Sequence, residues 1–113
     1  MQGVFITGTD TGVGKTHIGV LLAKALHQQN ISVIARKPVE SGCQLIGGDL
    51  IPVDALALKQ AARYKGELKE ICRYRFAQDV SPVRAARLSN VKLTTALLIN
   101  ACQHAEDGFT LVE

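Results

Sequence analysis

An α/β fold, with a parallel sheet flanked by helices, is what this sequence predicts, and three observations carry the prediction. A short β-branched and aromatic run, Val4-Phe5-Ile6-Thr7, reads as a buried strand and leads into a glycine-rich stretch, Gly8-Thr9-Asp10-Thr11-Gly12-Val13-Gly14-Lys15-Thr16. An amphipathic helical pattern then runs from Ile18 to Gln29. A second apolar run, Ile31-Ser32-Val33-Ile34-Ala35, follows directly, so that strand, helix and strand form a right-handed βαβ unit with parallel strands.

The glycine-rich stretch ends in Gly14-Lys15-Thr16 between a strand and a helix, the arrangement of a phosphate-binding P-loop. Glycines let consecutive backbone N–H groups curl around phosphate oxygens without Cβ clashes. The helix N-terminus adds free N–H groups and the positive end of a dipole. Lys15 is placed to bring a full charge to the terminal phosphates, and the Thr16 hydroxyl to ligate Mg²⁺. The first glycine stands one residue earlier than the standard pattern has it, at Gly8, with Thr9 in the usual position, so the loop is one residue longer. A lone Gly-x-Gly would be read as a simple strand-to-helix turn; the combination here favours a phosphate site.

Along the first helix Ile18, Leu21, Leu22, Ala25 and Leu26 share one face by their i, i+3, i+4 spacing, and Asn30 is the expected stop. Lys37-Pro38-Val39-Glu40-Ser41-Gly42 comes just past the carboxyl end of the second strand, the edge where open parallel sheets bind ligands. Gly47-Gly48-Asp49 and Pro52 mark a turn-rich segment, expected as a mobile surface loop. The helix from Asp54 to Ala62 has Asp54 near its start, where an acidic residue caps. Ile71 to Phe76 alternates apolar and basic residues and reads as extended. Ser81-Pro82 has the form of an N-cap followed by proline at the first helical position, opening a short helix through Ala86. Leu93-Thr94-Thr95 opens a last helix with Leu97, Leu98, Ala101, Cys102 and Ala105 as its apolar stripe. Asp107-Gly108 is a turn, and Phe109-Thr110-Leu111-Val112 starts another buried strand.

The chain of 113 residues allows a single small nucleotide-binding domain, residues 1–113. Apolar content of 47% against 20% charged residues is that of a soluble globular protein, and with aromatics at 4% aliphatic side chains must fill the core. Net charge +3 suits an anionic ligand such as a nucleotide and is too small to argue for nucleic acid. Cys43, Cys72 and Cys102 are odd in number and widely spaced, which suits reduced thiols in a cytoplasmic protein. No stretch has the length of a membrane span, and the N-terminal run lacks the flanks of a signal peptide. A core strand running up to the final residue, Glu113, leads us to expect the N-terminal part of a longer, apparently truncated protein.

Several motifs, in order along the whole chain, resemble the dethiobiotin synthetases. Thr7 to Thr16 resembles that family's extended P-loop, and Lys37-Pro38-Val39-Glu40-Ser41-Gly42 its Lys-Pro-Val-x-Ser-Gly segment. Asp54-Ala55-Leu56 matches its Asp-Ala motif, and Tyr74-Arg75-Phe76-Ala77 with Ser81-Pro82 and Ala85-Ala86 its Tyr-x-Phe…Ser-Pro…Ala-Ala stretch. Leu111-Val112-Glu113 is similar to the start of its Val-Glu-Gly-x-Gly-Gly motif. The resemblance covers about the first half of a typical member and implies a P-loop NTPase-type fold. It also implies an ATP- and Mg²⁺-dependent cyclo-ligase that closes a ureido ring on 7,8-diaminononanoate with CO₂ or bicarbonate, giving ADP and phosphate. Such an enzyme belongs to biotin synthesis, is cytoplasmic and homodimeric, and has neither nucleic acid nor membrane as a partner.

The resemblance implies roles residue by residue. Gly12, Val13, Gly14, Lys15 and Thr16 would cradle the phosphates, with His17 next to them in the nucleotide-binding set. Thr16, Asp54 and Glu113 would hold Mg²⁺ through hard oxygen donors. Lys37 would stand beside the carbamate and the γ-phosphate and, with Lys15, act in catalysis; Thr11, Lys37 and Ser41 would meet the diamine. The bland readings are a solvated loop lysine for Lys37, a helix cap for Asp54 and ordinary loop hydroxyls for Thr11 and Ser41. His17, His27 and His104 lack metal-ligand spacing and read as helix residues without a catalytic role; Arg73, Arg75, Arg84 and Arg87 read as solvated surface. Two alternatives remain: a ParA/MinD-like switch ATPase, against which the absence of an early loop lysine counts, and a catalytically incomplete fragment that only binds phosphate.

Overall fold

The computed structural model describes residues 2–7 and 14–113. In chain order its elements are β1 (Gln2–Phe5), α1 (Lys15–Gln28), β2 (Val33–Arg36), β3 (Val39–Glu40), β4 (Gln44–Ile46) and β5 (Asp49–Ile51). There follow α2 (Val53–Ala62), α3 (Leu68–Ile71), β6 (Tyr74–Arg75), α4 (Pro82–Leu88), α5 (Thr95–Cys102) and β7 (Phe109–Val112).

The parallel sheet is ordered β1-β7-β2, so the late strand lies between the two early ones. The βαβ expectation therefore holds for direction, while β1 and β2 are not neighbours. Register puts Phe5, Val112 and Arg36 side by side. The ladder continues one step further: Ile6 N–H donates to Val112 O at 2.8 Å, and Glu113 N–H to Arg36 O at 2.9 Å. All three strands thus end level, and whatever follows each of them shares one edge of the sheet.

The core is aliphatic, as the shortage of aromatics requires. Ile34 and Leu111 from the sheet and Leu58 from α2 are fully buried, each stabilising by about 1.5–3 kcal/mol relative to exposure. Helix α1 meets this core differently from its sequence pattern. Gly19 and Ala23 are its buried residues, and of the predicted stripe only Leu22 and Leu26 pack inward; Ile18 and Leu21 are more than half exposed. A small-residue face lets α1 approach α2 closely, and that close approach sets the rotation of the helix. Strand β1 likewise departs from a buried strand, since Phe5 is 67% exposed.

Segment 44–51, expected as a mobile loop, is instead the antiparallel hairpin β4–β5, closed by Gly47 and Gly48 in left-handed conformation. The stretch from Ile71 to Phe76 is extended only at Tyr74–Arg75, which pairs in parallel with Val39–Glu40; Ile71 closes helix α3. The helix starts at Ser81 and Thr94 are as expected: Ser81 Oγ accepts from Arg84 N–H at 3.4 Å and Thr94 Oγ1 from Leu97 N–H at 3.2 Å. His104 lies beyond α5 rather than in a helix, its ring bonded to Glu106 O and to Thr110 Oγ1. No helix among the described residues is long and apolar enough to cross a membrane.

Candidate functional site

The level strand ends build the site. Past β2 comes Lys37, whose N–H donates to Ile71 O at 2.8 Å and so ties the segment to α3. Past β7 comes Glu113. Helix α1 starts over the same edge: its N-cap Gly14 has φ +86°, a left-handed conformation that glycine adopts without Cβ strain, and Gly14 O accepts from Ile18 N–H at 3.0 Å.

These three pieces meet at one carboxylate. Thr16 Oγ1 donates to Glu113 Oε1 at 2.6 Å, and Lys37 Nζ lies 3.3 Å from the same oxygen. The pair is screened from water, with the Glu113 side chain 2% and the Lys37 side chain 12% exposed. The other oxygen, Glu113 Oε2, is buried and has no hydrogen-bond partner among the described residues. This oxygen faces helix α1, where a Cβ on Gly19 would lie 3.7 Å from it.

The cleft holds about 260 Å³ and brings together Lys15, Thr16, Lys37, Ser41, Asp54 and Glu113. Gly14 also lines it. Thr11, Gly12 and Val13 lie outside the described residues. His17 is exposed in the first turn of α1 and does not line the cleft. Four lining residues were absent from the sequence-based set, Val39, Pro82 and two acidic ones, Asp79 and Glu40. Asp79 stands against Gly42, where an added Cβ would come within 2.9 Å of Asp79 Oδ1. Glu40 is 6% exposed and accepts two bonds from α2, Oε2 from Asp54 N–H at 3.0 Å and Oε1 from Ala55 N–H at 2.9 Å. Burial pushes its carboxyl above the usual carboxylate range, against the pull of those two amides. Glu40 occupies the unspecified position of the Lys-Pro-Val-x-Ser-Gly pattern, so no motif could single it out.

The predicted metal set, the Thr16 hydroxyl and the carboxylates of Asp54 and Glu113, lines the cleft together with Ser41, Asp79 and the amide-bound Glu40. Among the described residues no cluster of three or more His, Cys, Asp or Glu side chains forms. Two carboxylates and a hydroxyl suit a hard cation that keeps water and phosphate oxygens as its other ligands. A larger hollow of about 490 Å³ opens near Ser32, Tyr64 and Glu106, at the amino end of β2. None of the predicted residues line it, and it lies at the edge opposite to the one that open parallel sheets use for ligands.

A family model described as "AAA domain" matches residues 2–113. The ATP-dependent dethiobiotin synthetase BioD of Ruthia magnifica is 41% identical over 113 residues, all of this chain and 52% of that protein. The BioD of Vesicomyosocius okutanii is 42% identical over 113 residues, again all of this chain and 51% of the relative. One from Clostridium botulinum (strain Eklund 17B / Type B) is 40% identical over 93 residues, 82% of this chain and 41% of the relative. The chain spans about half the length of the curated relatives it matches, their N-terminal half. With a parallel sheet, a Gly-Lys-Thr helix start at its carboxyl edge and a model match over residues 2–113, the chain belongs to the AAA-domain family of P-loop proteins.

Proposed function

We propose that this chain supplies the phosphate- and diamine-facing part of an ATP-dependent dethiobiotin synthetase. The observation that carries the reading is the convergence of Lys15, Thr16, Lys37, Ser41, Asp54 and Glu113 on one cleft at the carboxyl edge of the sheet. Those residues come from four separate segments, and a mere glycine-rich turn gives no reason for them to meet. The relatives are named as ATP-dependent dethiobiotin synthetases, which supports the reading further.

The reaction asks for charge management more than for covalent chemistry. One amine of 7,8-diaminononanoate, carboxylated by CO₂, is a carbamate. Its oxygen attacks the γ-phosphorus of ATP, and ADP leaves. The second amine then attacks the carbamoyl carbon of the mixed anhydride and expels phosphate, closing the ring. Lys15 and Lys37 neutralise charge on the transferring phosphoryl oxygens. The α1 N-terminus and Gly12 to Gly14 hold the other phosphates. Ser41 and Thr11 orient the diamine, so that attack becomes effectively intramolecular. Thr16, Asp54 and Glu113 would hold Mg²⁺, which when bound offsets the charge of the phosphate chain. Lys37, which pairs with Glu113, is the group positioned to turn to the carbamate once Glu113 has another positive partner.

The test is ATP turnover by the protein with and without 7,8-diaminononanoate and bicarbonate. It is run on the chain alone and on the chain joined to the second half of the Ruthia magnifica relative. ADP release that requires both additions, together with dethiobiotin detected by mass spectrometry, is the expected result. ATP hydrolysis indifferent to the diamine would sink the synthetase reading.

A further inference from the structure

We propose that Glu40 is a positioning residue: its carboxylate caps helix α2 from another element and thereby sets Asp54 in the cleft. The inference rests on the reading of Asp54 as a metal ligand given above.

Helix α2 starts without a local cap. Its N-cap residue is Pro52, which has no side-chain acceptor, and no side-chain capping bond closes within the segment. The first-turn N–H groups of a helix need partners from outside it. Asp54, in that first turn, is the residue type that could have served as cap, yet its own N–H and that of Ala55 are both taken by Glu40. The capping carboxylate is therefore borrowed, and the Asp54 side chain is left to line the cleft.

The lender is well anchored. Glu40 lies in β3, which pairs with β6, and Glu40 O accepts from Phe76 N–H at 2.9 Å. The same segment carries Lys37 and Ser41. One short stretch thus fixes the lysine, the hydroxyl and, through Glu40, the start of the helix bearing Asp54. With both oxygens engaged by amides, Glu40 is itself poorly placed to act as a ligand. A cap drawn from Ser or Thr at position 52 would stabilise α2 equally well. It would not couple α2 to the Lys37 segment, and that coupling is what a ligand set assembled from separate elements requires.

The test separates positioning from plain stability. Binding of a fluorescent ATP analogue is followed in EDTA and then as Mg²⁺ is titrated, for wild type, Glu40→Ala, Glu40→Gln and Asp54→Asn. Amide exchange at residues 54 and 55 is read in the same proteins. Partners of metal ligands typically change metal affinity by about 10–100-fold when lost. In Glu40→Ala the Mg²⁺ midpoint is expected to rise by about that factor, with affinity in EDTA within about twofold of wild type. Glu40→Gln keeps one acceptor, so it should fall between wild type and Glu40→Ala, with exchange faster at residues 54 and 55 but unchanged later in α2. An unchanged Mg²⁺ midpoint in a folded Glu40→Ala protein overturns the proposal. If that variant does not fold, the same outcome in Glu40→Gln overturns it. If wild type and Asp54→Asn both bind ATP without regard to Mg²⁺, the reading of Asp54 fails and the inference falls with it, a pattern distinct from failure of Glu40 alone.

Discussion

Thr16 and Glu113, 97 positions apart in sequence, share a hydrogen bond of 2.6 Å that joins the start of α1 to the end of β7. The acceptor is a carboxylate with a 2% exposed side chain, so the bond is charge-assisted and sheltered from water. Thr16→Val keeps the shape and deletes the donor. It is expected to lower stability by about 1.5–3 kcal/mol, the range for a hydrogen bond to a charged group. Urea unfolding checks this, and a midpoint equal to that of wild type would show that the bond contributes nothing.

Lys37 is the other partner of Glu113, at 3.3 Å. If its charge serves the transferring phosphoryl group, Lys37→Ala should reduce turnover by about 100-fold or more, as loss of one such electrostatic group does. On the same reading ATP affinity should change far less, because ground-state binding is assigned to Lys15 and the glycine-rich loop. Pre-steady-state phosphate release and equilibrium binding of ATP separate the two. Collapse of ATP binding with unchanged turnover of bound ATP would show that Lys37 has been given the wrong role.

Much of this molecule is legible in its sequence, and the illegible parts share a cause. Ser81-Pro82 and Thr94 act within a single turn, so local chemistry specifies both helix starts. Lys37, Asp54 and Glu113 could be singled out because motif order stands in for distance, and all three line one cleft. Glu40 escaped because its role spans 14 positions and two elements, and an acidic residue beside an Asp-started helix gives no hint that it will supply the cap. The inward face of α1 escaped because periodicity weighs large apolar side chains, whereas Gly19 and Ala23 bury through close approach. The place of β7 between β1 and β2 is likewise invisible to a pattern that assumes sequential strands are neighbours.

That close approach makes Gly19 sensitive to volume. A Cβ there would come within 3.1 Å of Leu58 Cδ2, 3.5 Å of Ile6 Cδ1 and 3.7 Å of Glu113 Oε2. Alanine gains helix propensity and demands only a small shift of Leu58, so Gly19→Ala should lie within about 1 kcal/mol of wild type. Gly19→Val adds two further methyl groups at a face already in contact and should cost about 1–3 kcal/mol through overpacking. It should also disturb the Thr16–Glu113 bond nearby, so the double variant Gly19→Val, Thr16→Val should lose less than the sum of the two single losses. Additive losses in urea unfolding would show that the valine strains only the α1–α2 contact.

The three thiols are protonated more firmly than free cysteine, because burial pushes each of them up; Cys72, fully buried, is raised from 9.0 to about 12. In the unfolded chain Cys72 loses its proton near pH 9, whereas in the folded chain it keeps it to about pH 12. Between those values the folded state binds more protons than the unfolded one, so stability falls as pH rises. Cys72 alone should remove about 1.4 kcal/mol for each pH unit above its unfolded value. Cys72→Ala should lower stability at neutral pH through the space it leaves, yet flatten the alkaline slope. Alkylation reports the same physics chemically: at pH 8 iodoacetamide should reach the half-buried Cys102 first and leave Cys43 and Cys72 unmodified until urea unfolds the chain. Rapid labelling of Cys72 in the folded protein, or an alkaline slope untouched by Cys72→Ala, would show that the thiol is open to solvent and that its burial does not govern its proton.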